Sequence, residues 1–240
     1  MNTMSDQTTA TNDSPRLFLK QIQVGPMANY VYLIGDRDTR KAVIVDPAWN
    51  IDGLLAEVEN EGFELEGALV THYHPDHIGG DFMGQHIEGI GELLERQGMK
   101  IYIHKEEAPY VRRGTGLETS DIVAVDGETE IKVGDIPIRF IHTPGHTPGS
   151  QCFLVGDNLV SGDTLFIGAC GRVDLPGSNP SDLYYSLTQK LAKLPDDTIL
   201  LPGHDYASDK TSTIGREKRS NPYMRFARLE DYLQAMGLPG

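Results

Sequence analysis

Short apolar runs, separated by glycine, proline and polar residues, recur along the whole chain and predict many β-strands. Continuous apolar runs such as Ala42–Val45 indicate strands that are covered on both faces. We expect the three strands between residues 121 and 141 to be antiparallel, and the two that flank Gly156 to form a hairpin. The predicted strands are Leu17–Val24, Asn29–Ile34, Lys41–Val45, Leu65–His74, Lys100–His104, Asp121–Val125, Glu130–Val133, Ile136–Ile141, Gln151–Val155, Asn158–Val160 and Thr198–Leu201.

Helical spacing of apolar residues appears between these strands. Asn50–Glu61 is predicted to be a helix with Asn50 as its N-cap, and Ser181–Leu194 a longer amphipathic helix. Ile78–Gln97 has a helical pattern weakened by glycines, which fits two helices or one helix after a loop. Shorter helices are predicted at Glu106–Arg113, Thr213–Ser220 and Arg228–Met236.

The order of these elements repeats approximately in the two halves of the chain. Each half of the chain supplies several strands, then a metal-type residue at a strand end, then a helix. We therefore expect two similar halves packed together, with strands inside and helices outside. Residues 1–15 are polar and lack the basic and apolar regions of a signal peptide, so they predict a disordered leader. Residues 16–240 are predicted to be one domain with a short helical C-terminal tail.

Composition narrows the classes of function. The 240 residues carry a net charge of −14, which argues against binding to nucleic acid or to an anionic membrane surface. No apolar run approaches the length of a membrane span. The two cysteines, Cys152 and Cys170, form no disulfide framework, and they favour a cytoplasmic protein with reduced thiols.

Residues that can bind a metal are most concentrated in Thr71–Gly80. This segment has the sequence Thr-His-Tyr-His-Pro-Asp-His-Ile-Gly-Gly and directly follows an apolar run. Imidazole and carboxylate groups are ligands for divalent metals such as zinc. His72 and His74 lie two residues apart, so on an extended segment both point to the same side. Pro75 then lets Asp76 and His77 approach from another direction, as a second ion requires. A chance cluster of polar loop residues is the alternative, and we favour the metal site.

Three further residues of ligand type follow later apolar strands in glycine-containing turns: His146, Asp163 and His204. Strand-end loops are where α/β architectures place their sites. Each residue alone fits an ordinary turn or cap. Together with the first motif they give seven ligands, enough for two ions that share one aspartate.

The pattern His-x-His-x-Asp-His, followed in order by Gly-His, Gly-Asp and Gly-His, resembles the metallo-β-lactamase superfamily from about Leu17 to His204. The resemblance implies an α/β (α+β) fold, a four-layer αββα sandwich with a dinuclear metal site at one edge. It assigns His72, His74 and His146 to one ion, Asp76, His77 and His204 to the other, and Asp163 to both. Two such ions would provide a metal-bound hydroxide near neutral pH, and Asp76 would orient it and relay a proton.

Within that superfamily, Gly168–Asp174 is similar to the Gly-Cys-Gly-Arg signature of the glyoxalase II and persulfide dioxygenase branch. Arg172 is the candidate for binding a substrate carboxylate or phosphate, and a surface ion pair with Asp174 is the alternative. The branch implies hydrolysis of a thioester or ester, as in hydroxyacylglutathione hydrolases, with a glutathione conjugate as a candidate substrate. Only residues 205–240 follow His204, too few for the helical glutathione-binding domain of full-length glyoxalase II.

Other activities remain open at this point. A glutathione persulfide dioxygenase would use a single iron held by His72, His146 and Asp163. Lactonase or β-lactamase activity is a weaker alternative; β-lactamases usually depart from this bridging-aspartate pattern and are usually exported. Non-catalytic metal binding is also weaker, because seven histidine and aspartate ligands indicate open coordination rather than a closed structural site. Zinc is the preferred metal, and iron and manganese suit the same ligands.

Overall fold

The computed structural model describes residues 16–237, so the predicted leader over residues 1–15 lies outside the described part. In chain order the strands are β1 (Leu17–Val24), β2 (Asn29–Asp36), β3 (Lys41–Val45), β4 (Glu64–Leu69), β5 (Gly80–Phe82), β6 (Gln85–Ile87), β7 (Lys100–His104), β8 (Ile122–Val125), β9 (Glu130–Val133), β10 (Ile136–His142), β11 (Gln151–Val155), β12 (Asn158–Gly162), β13 (Leu165–Phe166), β14 (Ala169–Cys170), β15 (Ile199–Pro202) and β16 (Ser212–Thr213).

The α-helices are α1 (Ile51–Asn60), α2 (Pro75–Ile78), α3 (Ile90–Arg96), α4 (Ala108–Thr115), α5 (Pro180–Tyr185), α6 (Ile214–Ser220) and α7 (Leu229–Ala235). The side chain of Asn50 accepts a hydrogen bond from the backbone N–H of Gly53, which confirms its predicted role as the N-cap of α1. The predicted helix Ser181–Leu194 exists as α5 followed by a π-helical turn and a 3₁₀ turn that ends at Lys193. No helix among residues 16–237 is long and apolar enough to cross a membrane.

Two six-stranded sheets carry the fold. The first has the order β1-β2-β3-β4-β7-β8, and the second has the order β16-β15-β12-β11-β10-β9. Both sheets combine antiparallel and parallel pairs. The parallel pairs are β3 with β4, β4 with β7 and β7 with β8 in the first sheet, and β12 with β15 in the second. The sheets lie face to face, because side chains from both of them form one buried apolar cluster.

Three apolar clusters separate four layers of structure. The middle cluster joins the two sheets, and it includes Ile34, Phe140 and Phe153. A second cluster packs α1, α3 and α4 against the outer face of the first sheet, and a third packs α5 and α6 against the outer face of the second. The layers therefore run helix, sheet, sheet, helix, which confirms the predicted αββα sandwich.

The predicted strand Leu65–His74 is too long at its C-terminal end. Strand β4 stops at Leu69, and the carbonyls of the next two residues make hydrogen bonds to the second sheet. The carbonyl of Thr71 accepts from the N–H of Gln151 in β11, and the amide of Gln151 donates to the carbonyl of Val70. His72 thus lies in a loop, while His74 keeps an extended backbone as the N-cap of α2.

Two further regions are decided by the structure. Of the two alternatives for Ile78–Gln97, a single helix after non-helical residues is the correct one, because the β5–β6 hairpin precedes α3. Positive φ angles at Gly79, Gly80 and Gly84 explain the break, since helical residues need negative φ. Strand β8 was expected to be antiparallel to its neighbours, but it pairs in parallel with β7 at the edge of the first sheet.

Replacing Phe140 with alanine is expected to lower the free energy of unfolding by about 3–5 kcal/mol, because it leaves a cavity between the sheets. The Phe140 ring is buried and packs edge-to-face on Phe153 at a centroid distance of 4.9 Å. Chemical denaturation measures the change. The control is Tyr185→Ala, since Tyr185 is half exposed, and it should shift the value by less than about 1 kcal/mol. Equal losses in both variants would contradict this description of the core.

Candidate metal centre

The first group of donor atoms comes from His72, His74 and His146, whose ring nitrogens converge where the loops after β4 and β10 meet. Nε2 of His146 lies 3.0 Å from Nδ1 of His74. The ring centroids are 4.7–4.8 Å apart and the rings stand nearly perpendicular to one another. We call these three residues the first triad.

A second triad is formed by Asp76, His77 and His204. Nε2 of His77 lies 3.2 Å from Nε2 of His204, and Oδ2 of Asp76 lies 3.4 Å from each of these nitrogens. The short helix α2 supplies the first two residues, because the left-handed Gly79 ends it immediately after Ile78. His204 comes from the loop that follows β15.

Asp163 lies between the two triads. One carboxylate oxygen, Oδ1, is 3.3 Å from Nε2 of His77, and the other, Oδ2, is 3.4 Å from Nε2 of His204 and 3.7 Å from Nε2 of His146. The residue directly follows β12, and the left-handed Gly162 turns the chain before it. The structure therefore brings all seven predicted ligand residues together in one cluster.

The ring nitrogens that face away from the cluster are held by acceptors. Nδ1–H of His146 donates to the carbonyl of Arg172 at 2.9 Å, and Nδ1–H of His204 donates to the carbonyl of Met27 at 3.0 Å. Nδ1–H of His77 donates to the carboxylate of Asp46 at 3.0 Å. With the outer nitrogen held by an acceptor, the inner nitrogen of each ring faces the cluster, which is the orientation that metal ligation needs.

Asp46 organises both triads, and the sequence analysis missed it. Besides His77, its carboxylate accepts from the backbone N–H of Thr71 at 2.7 Å and from the Thr71 hydroxyl at 2.6 Å. That hydroxyl in turn accepts from Nδ1–H of His72 at 3.0 Å. Asp46 has a left-handed φ of 52°, a strained value for a residue with a side chain. The one signal in the sequence was an aspartate at the end of a buried strand.

Glu107 is a second buried carboxylate that the sequence did not reveal. One oxygen accepts from the N–H of Tyr73 at 2.7 Å, and the other accepts from the N–H of Gly149 at 2.6 Å. Tyr73 lies between the two first-triad histidines, and Gly149 lies in the loop of His146, so Glu107 ties these two loops together. Burial raises the pKa of Glu107 to about 7, although the two amide donors oppose that shift.

The two triads differ in their electrostatics. Burial and the neighbouring rings lower the pKa of His72 well below its usual range and lower that of His74 to about 4. Burial also disfavours charge on His204, but the Asp163 carboxylate outweighs it and raises the pKa of His204 to about 9. The pKa of His77 is raised for the same reason. Without cations, His72 and His74 are therefore neutral, whereas His77 and His204 bind protons at neutral pH.

The pKa values of Asp163 and Asp76 shift in the opposite direction, below their usual range. Burial would raise the pKa of Asp163, but the charged rings of His77 and His204 outweigh it and hold that pKa well below its usual range. The pKa of Asp76 is lowered in the same way, by His77 and by a hydrogen bond from His204. Both side chains are therefore carboxylates at neutral pH and are available as metal ligands.

The donor set fits divalent cations. Nε2 of His72 and Oδ1 of Asp163 are buried and lack a hydrogen-bond partner, which is costly unless another group binds them. Nδ1 of His74 and Nε2 of His146 also lie only 3.0 Å apart, so both nitrogens face the same small space. A divalent cation would accept the lone pairs of the two unpartnered atoms.

Arg172 lies beside the first triad, but its guanidinium points outwards. The side chain is 63% exposed and forms a bidentate ion pair with Asp174, with both distances 2.7 Å. The two residues line an open cleft of about 460 Å³ together with Cys170 and Tyr223. The structure thus contains the surface ion pair that was the alternative to substrate binding, and Arg172 as a substrate ligand stays a prediction.

Comparison with known proteins gives concordant matches. The model of the metallo-beta-lactamase superfamily matches residues 24–204. The human mitochondrial persulfide dioxygenase ETHE1 is 30% identical, with 92% of this chain and 81% of that protein covered. The probable polyketide biosynthesis zinc-dependent hydrolase BaeB of Bacillus velezensis is 28% identical, with 86% of both chains covered. The crystal structure of ETHE1 from Myxococcus xanthus superimposes with a TM-score of 0.78 at 32% identity, covering 92% of this chain and 90% of the other.

Replacing Asp46 with alanine is expected to weaken binding of divalent cations by about 10–100-fold, because His72 and His77 lose the group that orients them. Isothermal calorimetry on metal-free protein with added zinc measures the affinity. The control is Asp38→Ala, which removes an exposed carboxylate from the turn after β2 and should leave the affinity unchanged. Unaltered binding by Asp46→Ala would contradict the proposed organising role.

Filling the second triad is expected to release protons, whereas filling the first should release none from His72 or His74. The reason is that the pKa of His204 is raised to about 9, so its ring is protonated at pH 7 and must lose that proton before it binds a cation. Affinity at the second triad should therefore rise with pH up to about 9. Calorimetry in buffers of different ionisation enthalpy counts the protons, and equal release in both steps would contradict the assignment.

Proposed function

The chain belongs to the metallo-beta-lactamase superfamily of metal-dependent hydrolases, and from this premise we propose that it hydrolyses a thioester or ester as hydroxyacylglutathione hydrolases do. One observation carries the proposal: the second triad is built as completely as the first. Asp76, His77 and His204 are buried and oriented, and Asp163 lies within reach of both triads. A dinuclear site needs this second triad, whereas a mononuclear enzyme would not.

The residues have distinct roles in the proposed reaction. When bound there, two divalent cations supply a water of lowered pKa and polarise the carbonyl that it attacks. Asp163 holds the triads at a fixed separation through its two oxygens. Asp76 remains ionised at neutral pH, so its carboxylate can orient the attacking water and accept its proton. No serine or cysteine nucleophile is required.

Arg172 is proposed to bind a carboxylate on the substrate, such as that of a glutathione conjugate. Its ion pair with Asp174 is exposed on both sides, and exposed pairs contribute only about 0–1 kcal/mol. A substrate carboxylate at the cleft can therefore replace Asp174 at little cost. The backbone of Arg172 already contacts His146, so a ligand on its side chain would lie beside the first triad.

A persulfide dioxygenase is the second candidate. It is supported by the matches to ETHE1 proteins at 30% and 32% identity. That reaction would use His72, His146 and Asp163 to hold one iron. The match to a probable zinc-dependent hydrolase supports the first candidate. We propose zinc as the resident metal, with iron or manganese as alternatives, a small-molecule substrate and a cytoplasmic location.

His204→Asn separates the two candidates, because it removes a ligand of the second triad and leaves the set proposed for the dioxygenase intact. If the protein is a dinuclear hydrolase, this variant should lose at least about 100-fold in the rate of thioester hydrolysis. The assays are hydrolysis of S-lactoylglutathione by zinc-loaded protein and oxygen uptake with glutathione persulfide by iron-loaded protein. Asp163→Ala should abolish either activity.

Metal analysis of the purified protein provides the independent check. Two zinc ions with thioester hydrolysis are the expected result. One iron with oxygen uptake that survives His204→Asn would contradict the hydrolase and establish the dioxygenase. Arg172→Ala should raise KM for a carboxylate-bearing thioester and leave kcat nearly unchanged. Asp174→Ala is its matched control, because it removes the partner and leaves the guanidinium free.

A further inference from the structure

Asn29 lies at the start of β2 and connects the second triad to the rest of the fold. Its side chain is buried, and its amide Nδ2–H donates to Oδ2 of Asp76 at 2.9 Å. The same oxygen of Asp76 is the one that lies 3.4 Å from the nitrogens of His77 and His204. Its backbone also pairs with His204 in an isolated antiparallel bridge. Nδ2 of Asn29 also lies 3.4 Å from Nε2 of His77, so Asn29 contacts all three members of the second triad.

Trp49 determines which end of the Asn29 amide faces Asp76. The indole Nε1–H lies 3.2 Å from Oδ1 of Asn29 and 3.1 Å from the backbone carbonyl of Asp76. Because an indole nitrogen only donates, the asparagine must present its oxygen to Trp49 and its NH₂ group to Asp76. This contact removes the usual ambiguity between the two ends of an amide.

The position of Trp49 is itself fixed by its surroundings. Its φ of 76° is left-handed, a conformation that a bulky residue adopts only when neighbouring groups hold it there. The backbone N–H of Trp49 donates to the carbonyl of Glu88 at 2.8 Å. The indole packs against the glycine at position 25, where an added Cβ would lie 2.4 Å from the ring. Only glycine fits there.

The chemistry of an amide donor suits a metal ligand. A carboxylate needs a partner to fix its rotation, but a lysine or arginine would neutralise its charge and compete with the cation. A neutral NH₂ group orients Asp76 and leaves the whole negative charge for the second triad. Hydrogen-bonded groups behind metal ligands typically change metal affinity by about 10–100-fold.

We infer that Asn29, oriented by Trp49, is a positioning residue that holds Asp76 for the cation of the second triad. The inference rests on the proposed dinuclear function. It also makes Trp49 a reporter, because this is the single tryptophan of the chain and its indole donates directly to Asp76 and Asn29. The emission of Trp49 should change when the second cation binds and should change little with the first.

The test is a zinc titration of metal-free full-length protein, followed by calorimetry and by tryptophan emission. In the wild type, two equivalents should bind, and the emission change should accompany only the one that enters the second triad, here called the second equivalent. Asn29→Leu keeps the size of the side chain and removes its donor. It should weaken the affinity for the second equivalent of zinc by about 10–100-fold and leave the affinity for the first within about three-fold. Trp49→Phe should weaken the affinity for the second equivalent less than Asn29→Leu does, because the Asn29 donor remains present.

Asn158→Leu is the matched control, since Asn158 is a buried asparagine at the β11–β12 turn whose side chain donates to the carbonyl of Val155. It should lower the free energy of unfolding without changing the affinity for the second equivalent. If Asn29→Leu fails to fold, Asn29→Ala carries the same expectation. If the Asn29 variants bind the second equivalent with unchanged affinity, this inference alone is overturned. The same holds if Asn158→Leu loses as much affinity for the second equivalent as they do. A wild type that binds one equivalent overturns both the inference and the dinuclear hydrolase.

Discussion

The structure depends on keeping seven polar ligand side chains close together at a largely buried site. Nitrogen and oxygen atoms of the two triads and Asp163 approach to 3.0–3.7 Å, and most of these residues are buried. Burying such groups is costly unless each has a partner. Groups outside the cluster offset this cost. The outer ring N–H groups donate to the carbonyls of Met27 and Arg172 and to the carboxylate of Asp46. The cluster is therefore preorganised before any cation arrives.

The same requirement explains part of the backbone strain. Five non-glycine residues between 16 and 237 have left-handed φ angles; Ala28, Asp46 and Trp49 lie beside the triads, whereas Arg40 and Met83 lie in turns between strands. Each of the three beside the triads supplies or adjoins a group that holds a ligand residue, namely the Met27 carbonyl, the Asp46 carboxylate and the Trp49 indole. Strain of this kind persists only where the surrounding packing compensates for it. The two sheets provide that packing, with a continuous apolar core between them.

Much of the fold could be predicted because buried strands have continuous apolar runs that local sequence displays. Strands β1, β3 and β7 begin and end at the predicted residues. The β5–β6 hairpin could not be predicted, since its side chains are mostly exposed and its apolar residues happen to have helical spacing. The ligand-type residues stood out by type and by their order at strand ends. Asp46, Glu107 and Asn29 did not, because their roles depend on contacts across the fold.

Glu107 accepts from one loop of the first half and one loop of the second, and each triad likewise draws members from both halves. During synthesis, a chain that has emerged only as far as β9 would possess His72, His74, Asp76 and His77 but neither complete triad. His146 completes the first triad, and His204 completes the second much later. The two triads therefore become complete in a fixed order along the chain, and neither can assemble before both sheets have come together.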